Sequence, residues 1–510
     1  MNAPASSTAA RSARKRYGMV FDMDACVGCQ TCTIACKQTN QTTPGILWRN
    51  VLDLEVGEYP QVDRSFLLTG CQHCEQPSCV PVCPTGATYK RDDGLMVIDY
   101  DVCIGCSSCV VACPYQARKI DKNPPSYYPG KRMATEQRPV QLQRVGVAQK
   151  CSFCKERIDD GLARGLVPGQ DPDATPACAN ACISQAIVFG DLADPGSKVS
   201  QLLSQRGGQQ MHASLGNQPH IFYLGERRSN DAAPGPLQTQ WDWRAAMNFI
   251  LGGMSSAWMV LAWLAHAQGE LSTPTLHGSY VLAAVLMGVG LLCVFLKLGR
   301  KLRFWRVITR WQSSWMTRET WCVAVIFPSL LFTLWSPSPV WDGLVALGAL
   351  GFLWCQGKIL HTARGIPAWR HDAVPWLLMG TGVLEGASWL TLFCASVGVS
   401  SAVAQYAAGV AALGMLLLWP RYAHAVRDDS AHALEPLRRP LMLLGHALPL
   451  LAFLASVSLN TALPVWMLAV PVLTIAGGAL MKYQLIVKAG HFQGVRIPTG
   501  QRVHRSPALV

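Results

Sequence analysis

Sixteen of the twenty cysteines lie between residues 26 and 182, in four groups. Cys103, Cys106, Cys109 and Cys113, in CIGCSSCVVACP, follow the spacing C-x2-C-x2-C-x3-C-P. That spacing wraps three thiolates around one iron–sulfur cube and sends the fourth to a neighbouring cube. Cys26, Cys29, Cys32 and Cys36 repeat it, with Lys37 in the proline position. Cys71, Cys74, Cys79 and Cys83 stretch one gap, and Cys151, Cys154, Cys178 and Cys182 carry a long insertion before the third cysteine. Four motifs working in pairs predict ligands for four [4Fe–4S] clusters. Zinc held by paired C-x2-C knuckles is the alternative. Zinc needs only two cysteine pairs per site, which leaves the third C-x2-C step and the x3-C-P tail without a purpose. The remaining Cys293, Cys322, Cys355 and Cys394 lie singly in apolar stretches and read as small packing residues.

The elements that must position these thiols are small. GMVFDMDAC, residues 18–26, reads as a short strand running into the first cysteine loop, and GLMVIDYDVC, residues 94–103, repeats the arrangement before the third. Such self-similarity marks an internal duplication. The expected fold is an α+β domain of short strands, short helices and many loops, held together by its metal groups more than by an apolar core. Residues 122–149 form a Pro- and Tyr-bearing insertion that reads as a surface cover.

Beyond residue 240 the composition changes. Half of the 510 residues are apolar overall, a share that points to a membrane portion. Apolar stretches at Ala245–Ala265, Ser279–Leu296, Thr320–Trp335, Val340–Leu360, Val374–Val397, Ala402–Trp419, Leu441–Leu459 and Val465–Leu480 predict an all-α polytopic domain of about eight transmembrane helices. The predicted organisation is a disordered tail (1–16), a four-cluster domain (17–225), a linker (226–243), a membrane anchor (244–482) and a cytoplasmic tail (483–510). The first sixteen residues have neither an apolar core nor a twin arginine, so no export signal is expected.

The net charge of +13 is concentrated, in this half, on alternate connections. Lys297, Arg300, Lys301, Arg303, Arg306, Arg310 and Arg318 lie between spans two and three, Arg364 and Arg370 between four and five, and Arg421, Arg427, Arg438 and Arg439 between six and seven. The other connections carry no Lys or Arg. This is a topology signal, not a nucleic-acid footprint. It puts both termini, and with them the cysteine domain, on the cytoplasmic side of a bacterial inner membrane.

Residues 17–224 resemble the four-cluster electron-transfer subunit of the DMSO-reductase family of molybdenum enzymes. GMVFDMDACVGCQTCTIACK, CPYQAR and GLARGLVPGQDPDATPAC are most similar to subunits of the phenylacetyl-CoA:acceptor oxidoreductase type, with cytoplasm-facing sulfite dehydrogenase as the near rival. The resemblance implies that motifs one and four pair, as do two and three. It would group Cys26, Cys29, Cys32 and Cys182; Cys151, Cys154, Cys178 and Cys36; Cys71, Cys74, Cys79 and Cys113; and Cys103, Cys106, Cys109 and Cys83. It also implies a molybdopterin catalytic subunit on a separate chain, so that this chain does not itself act on the substrate.

The second half resembles the DMSO reductase membrane anchor, which exchanges electrons with quinone. The resemblance is carried by FLKLGRKLRFWRVITRWQSSWMTRET, residues 295–320. Glu319 matches the family glutamate, and Lys297 stands where the family has histidine. A quinone site needs an apolar slot, donors for two carbonyl oxygens and a proton route. Lys297, Arg300, Arg303 and Glu319 are the expected polar groups, with Trp305, Trp311 and Trp315 as walls. The competing reading makes the basic residues topology markers and the tryptophans an interfacial belt.

Glu385, near the middle of the fifth span, is a proton-relay candidate because a carboxyl at that depth is costly. His266, His361 and His424 lie near span ends and only His446 is deep, so no haem is expected. No Walker A loop, hydrolase triad signature or nucleotide-binding Gly-rich turn is present. The expected role is to relay electrons between the catalytic subunit and the quinone pool. The alternatives are a redox-linked proton-translocating module and a membrane-tethered ferredoxin without quinone chemistry.

Overall fold

The computed structural model describes residues 14–225, 235–459 and 468–494. The first half has no large sheet. Strand β1 (Tyr17–Asp22) is the centre of a three-stranded sheet, antiparallel to β6 (Ile187–Asp191) and parallel to β7 (Ile221–Leu224). β2 (Arg49–Glu58) and β3 (Gln61–Gly70) form a long hairpin, and β4 (Thr88–Lys90) and β5 (Met96–Ile98) a short one. The two related stretches thus become β1 and β5, each leading into a cysteine loop. Helices α1 (Thr31–Thr39), α2 (Ser108–Val111), α3 (Pro139–Arg144), α4 (Lys155–Ala163), α5 (Ala177–Asn180) and α6 (Lys198–Arg206) are one to three turns long. Isolated helices of that length are marginal in water, so tertiary contacts must hold them. The cysteines are themselves part of the buried clusters of this half, beside Met19, Phe21, Leu68, Leu95 and Phe153.

The second half is a helix bundle. Its helices are α7 (Trp243–Ala267), α8 (Thr273–Lys297), α9 (Trp315–Trp335), α10 (Pro339–His361), α11 (Val374–Ser396), α12 (Ala402–Ala425), α13 (Leu434–Ala455) and α14 (Ala469–Lys488). Seven of them are long and apolar enough to cross a membrane; α9 is not among the seven. This helix, 21 residues long, opens with Arg318 and Glu319, which lower its mean hydropathy, and it packs along α10. The last expected span, from Val465, starts outside the described residues, which resume at Leu468. Helices α7 and α11 meet where Gly382 and Gly386 lie against the backbone of Gly253 and Ala257. Small residues permit that approach, as is common between membrane helices.

Four segments are more closely attached than the sequence suggested. Arg14 and Arg16 are tied down, Arg14 Nε donating to Asp92 O at 2.8 Å and the Arg16 amide to Asp191 Oδ1 at 2.8 Å; residues 1–13 lie outside the described part. Residues 235–240, placed in the linker, run against residues 490–493, placed in the tail. Phe492 N bonds Pro236 O, Gln493 N bonds Gly365 O, and Gln116 Nε2 of the cysteine domain bonds Gln493 O. The insertion at 122–149 does not only cover a surface. Its Gly146 abuts Gly299 of the membrane half, and Leu142 O accepts from Arg300 Nη2 at 2.9 Å.

Candidate electron path and membrane cavity

The fold gathers the sixteen thiols into four sets, each with three members from one motif and one from another. Burial and then neighbouring Cys182 raise the Cys26 thiol; Cys182 and Cys26 act likewise on Cys32, and Cys29 is the next neighbour of Cys26. Cys36 is pushed up by burial and then by Cys151, Cys178 and Cys154. Cys74 is pushed up by burial and then by Cys71, Cys79 and Cys113. Burial likewise raises Cys109, whose thiol neighbours are Cys103, Cys83 and Cys106. Among the described residues no three His, Cys, Asp or Glu side chains converge to hold a single metal ion. Three thiols from one motif and a fourth from another is the arrangement that iron–sulfur ligation by paired motifs requires.

Buried cations alternate with the sets. Arg49 is 1% exposed, with Nη2 3.6 Å from Cys151 Sγ, and its other thiol neighbours include Cys178, Cys36 and Cys32. Lys150 sits between the second and third sets, near Cys151, Cys71 and Cys79. Arg118 lies between the third and fourth, with Nη2 3.0 Å from Cys79 Sγ and Cys109 and Cys113 nearby. Burial lowers the affinity of Arg49 and Arg118 for their protons, and the thiols more than reverse it. Burial of Lys150 wins instead and pulls it down. Arg49 Nε and Nη1 have no hydrogen-bond partner among the described residues. Unpaired buried cations are expensive, and anionic iron–sulfur groups are the natural counter-charge. The residues therefore fit the group.

His73, fully buried, stacks on Phe153 at 3.6 Å. Its Nδ1 accepts from the Met96 amide at 3.0 Å, which leaves Nε2–H to donate to Cys151 O at 3.1 Å. Burial first, then Lys150 and Arg49, hold it well below the usual histidine range, so it stays neutral.

The two ends of the series differ. Cys29 is exposed, with exposed Val27, Ile34 and Ile183 near it in sequence or set; Ile183 is 71% exposed. At the other end Cys106 lines a cavity with Trp241, Ala245, Asn248, Phe249, Lys297, Met316 and Glu319 among its walls. Lys297 Nζ lies 4.9 Å from the centre of the Trp241 ring. Asn248 Nδ2 donates to Glu319 Oε1 at 3.3 Å, and Gln356 Nε2 to Asn248 O at 2.8 Å.

Of the four polar residues expected together, Lys297 and Glu319 share this cavity; Arg300 and Arg303 do not. Arg300 Nη2 binds Leu142 O, and Arg303 Nη1 donates to Tyr100 O at 2.7 Å and Cys103 O at 3.2 Å. Their guanidinium groups reach across to the cysteine domain because the loop after α8 lies directly beneath it, where Arg300 N bonds Ile104 O. Trp305 and Trp311 are exposed, and Trp315 faces an adjacent crevice under Arg318. The wall is Trp241 instead, which sequence reasoning used only as a boundary. Asn248 and Gln356 were also missed. The one local signal is a widened π turn at Asn248–Gly252, a feature that often accompanies function. Cys322 and Cys355, read as isolated, face each other between α9 and α10.

Comparison with known proteins agrees with both halves. Residues 62–127 match the 4Fe-4S dicluster domain family, and residues 241–426 match the DMSO reductase anchor subunit (DmsC) family. A Halobacterium salinarum protein named as the iron–sulfur subunit of a dimethyl sulfoxide reductase is 37% identical over 43% of this chain and 81% of its own length. A subunit of the selenate reductase of Mesobacillus selenatarsenatis is 37% identical over 40% of this chain and 70% of its own. A subunit of the sulfite dehydrogenase of Allochromatium vinosum is 35% identical over 42% and 85%. The chain belongs to the DMSO-reductase-type iron–sulfur subunit family, here fused to a DmsC-type anchor. It is an iron–sulfur electron-transfer subunit and a multi-pass membrane protein.

Proposed function

We propose that the four thiol sets hold four [4Fe–4S] clusters and that the cavity between Cys106 and Glu319 is where quinone exchanges electrons with them. The clusters, when bound, supply one-electron carriers. The protein positions them in a row, from the exposed end at Cys29 to the membrane end at Cys106, with Arg49, Lys150 and Arg118 offsetting charge between successive sets. A molybdopterin catalytic subunit docks at the exposed end, where Val27, Ile34 and Ile183 offer an apolar contact. The basic loops support a cytoplasmic position for the cysteine domain at a bacterial inner membrane.

In the cavity, Lys297 (5% exposed) and Glu319 (7% exposed) are the groups able to bond the two quinone oxygens. Trp241 and Phe249 supply apolar ring contacts, and Asn248 orients the Glu319 carboxyl. Reduction of a quinone takes two electrons and two protons, so a carboxyl beside the ring has proton work to do. The observation that carries this reading is a cavity bounded by a cluster-set cysteine on one side and two buried ionisable residues on the other.

The test is Glu319→Gln in the purified chain, with dithionite as reductant and decylubiquinone as acceptor. We expect turnover to fall about 100-fold or more, within the range for lost acid–base catalysis, while iron content stays at the wild-type level. Unchanged turnover would overturn the site. An iron content far below four clusters per chain would overturn the ligand assignment.

A further inference from the structure

The membrane half contains a polar group that quinone chemistry at the cavity does not by itself require. Glu385 on α11 and Lys482 on α14 form an ion pair in which both side chains are 0% exposed. Glu385 Oε1 lies against Gly478 with no hydrogen-bond partner among the described residues. Burying two charges costs several kcal/mol per ion before their attraction is counted. Ionisable residues inside a membrane domain are rare and mark ion or proton routes.

The pair lies between two cavities. On one side, Lys482 Nζ and Gln356 Oε1 both flank Gly253, 2.8 Å and 3.1 Å from where a Cβ on that glycine would sit. They are therefore near enough for one bridging water. Gln356 bonds Asn248 O, and Asn248 bonds Glu319 in the first cavity. On the other side, a second cavity is lined by Ser388, Thr391, Gln405 and Thr474 among apolar residues. Ser388 lies one turn beyond Glu385 on α11, and Thr474 one turn beyond Gly478 on α14. His446, buried with neither ring nitrogen bonded among the described residues, sits three residues before Pro449 of the same lining.

Helix directions place the second cavity in the half of the bundle away from the cysteine domain. Helix α11 starts beside that domain and reaches Ser388 and Thr391 late in its course, and α12 and α14 begin on the far side with Gln405 and Pro471 near their starts. Three widened π turns, Asn248–Gly252, Leu441–Ala447 and Gln484–Lys488, lie at or beside Asn248, His446 and Lys482.

We propose that Glu385 and Lys482 are the middle of a proton conduit joining the Glu319 cavity to the second cavity, in the opposite half of the membrane domain. The inference rests on the quinone reading above. Each quinone reduced by two electrons from the cysteine-domain side takes its two protons through Glu385 and Glu319 from the opposite face. Charge thus crosses the membrane with every turnover. Glu385 and Lys482 exchange the proton within their pair, Gln356 and Asn248 hold the bridging water and carboxyl in line, and Ser388, Thr391 and Thr474 hydrate the far entrance.

The test uses the full chain with its clusters in vesicles, a pH dye trapped in the lumen, decylubiquinone in the bilayer and dithionite outside. Only molecules with the cysteine domain outward receive electrons. The wild type should make the lumen alkaline by about two protons per quinone reduced. Glu385→Gln should lower that ratio at least tenfold with unchanged cluster signals by EPR. The double variant Glu385→Gln/Lys482→Met leaves no lone buried charge to unfold the bundle, and it should show the same loss. A double variant that folds, reduces quinone and keeps the wild-type proton ratio overturns the conduit. A wild type that reduces quinone with no luminal change overturns it too. A wild type that reduces no quinone removes the underlying site instead.

Discussion

The cysteine domain and the membrane domain meet the same difficulty, buried charge, in opposite ways. In the first, cations are placed between thiol sets in strict alternation, and Arg49 keeps two nitrogens without partners among the described residues. Charge there is permanent and is matched by permanent counter-charge. In the second, two buried ionisable groups, Lys297 and Glu319, border a cavity, and Glu385 is paired with Lys482 one turn from the lining of another. The first arrangement suits groups that gain and lose electrons while staying fixed. The second suits a mobile carrier and its protons. Between the two lies a seam without side chains, where Gly105, Gly146 and Gly299 meet backbone to backbone. The absence of side chains there brings Cys106 up to the cavity wall.

The contrast can be broken most forcefully by removing iron. Chelation under reducing conditions should unfold the cysteine domain, whose short elements depend on the bound groups, while the helical circular-dichroism signal of the membrane half persists. Loss of both halves together would mean that they fold as one unit. Next in size is Gly299→Val, because any Cβ there meets the Gly146 carbonyl. It should cut quinone turnover at least 100-fold, a remote misplacement effect, with iron content unchanged. Retained turnover would show that the seam tolerates separation. Arg49→Met removes a cation beside two thiol sets and disfavours the reduced state. The potentials of the first two clusters should fall by on the order of 100 mV, from a charge at about 6 Å in an effective dielectric near 20, read by EPR redox titration. A shift in the other direction would contradict the alternation. The smallest effect belongs to Arg303→Ala. It loses bonds to Tyr100 O and Cys103 O, each worth about 1.5–3 kcal/mol when charge-assisted and less where half-exposed. A several-fold loss of turnover, with luminal proton stoichiometry unaltered, would mark it as a docking residue; a collapse as large as that of Glu319→Gln would return it to the cavity chemistry.

The two halves were not equally legible. Thiol spacing is a statement about neighbours a few residues apart, so Cys103 to Cys113 declared their chemistry without any fold. The strands before them were equally plain, since β1 and β5 are short apolar runs in duplicated contexts. In the membrane half the apolar stretches and basic loops stood out, but their partners did not. α10, α11 and α12 are apolar around nearly their whole circumference, so no periodicity says which face meets which neighbour. Arg300 and Arg303 looked like site residues because they share a loop with Lys297. That loop turns at Leu298–Gly299 and sends them toward the cysteine domain.

What the chain's sequence determined alone is therefore what short-range covalent spacing and hydropathy can carry: iron–sulfur ligation, the places of the apolar segments, and a membrane face marked by Arg and Lys. Tertiary structure alone decided that Arg118 lies between two thiol sets, that Trp241 and Asn248 close the cavity, and that Glu385 meets Lys482 across 97 residues of chain. Those choices depend on helix rotation and on glycine-sized gaps between backbones. Such quantities are set by the packing of many side chains at once and leave no mark in any single stretch of sequence.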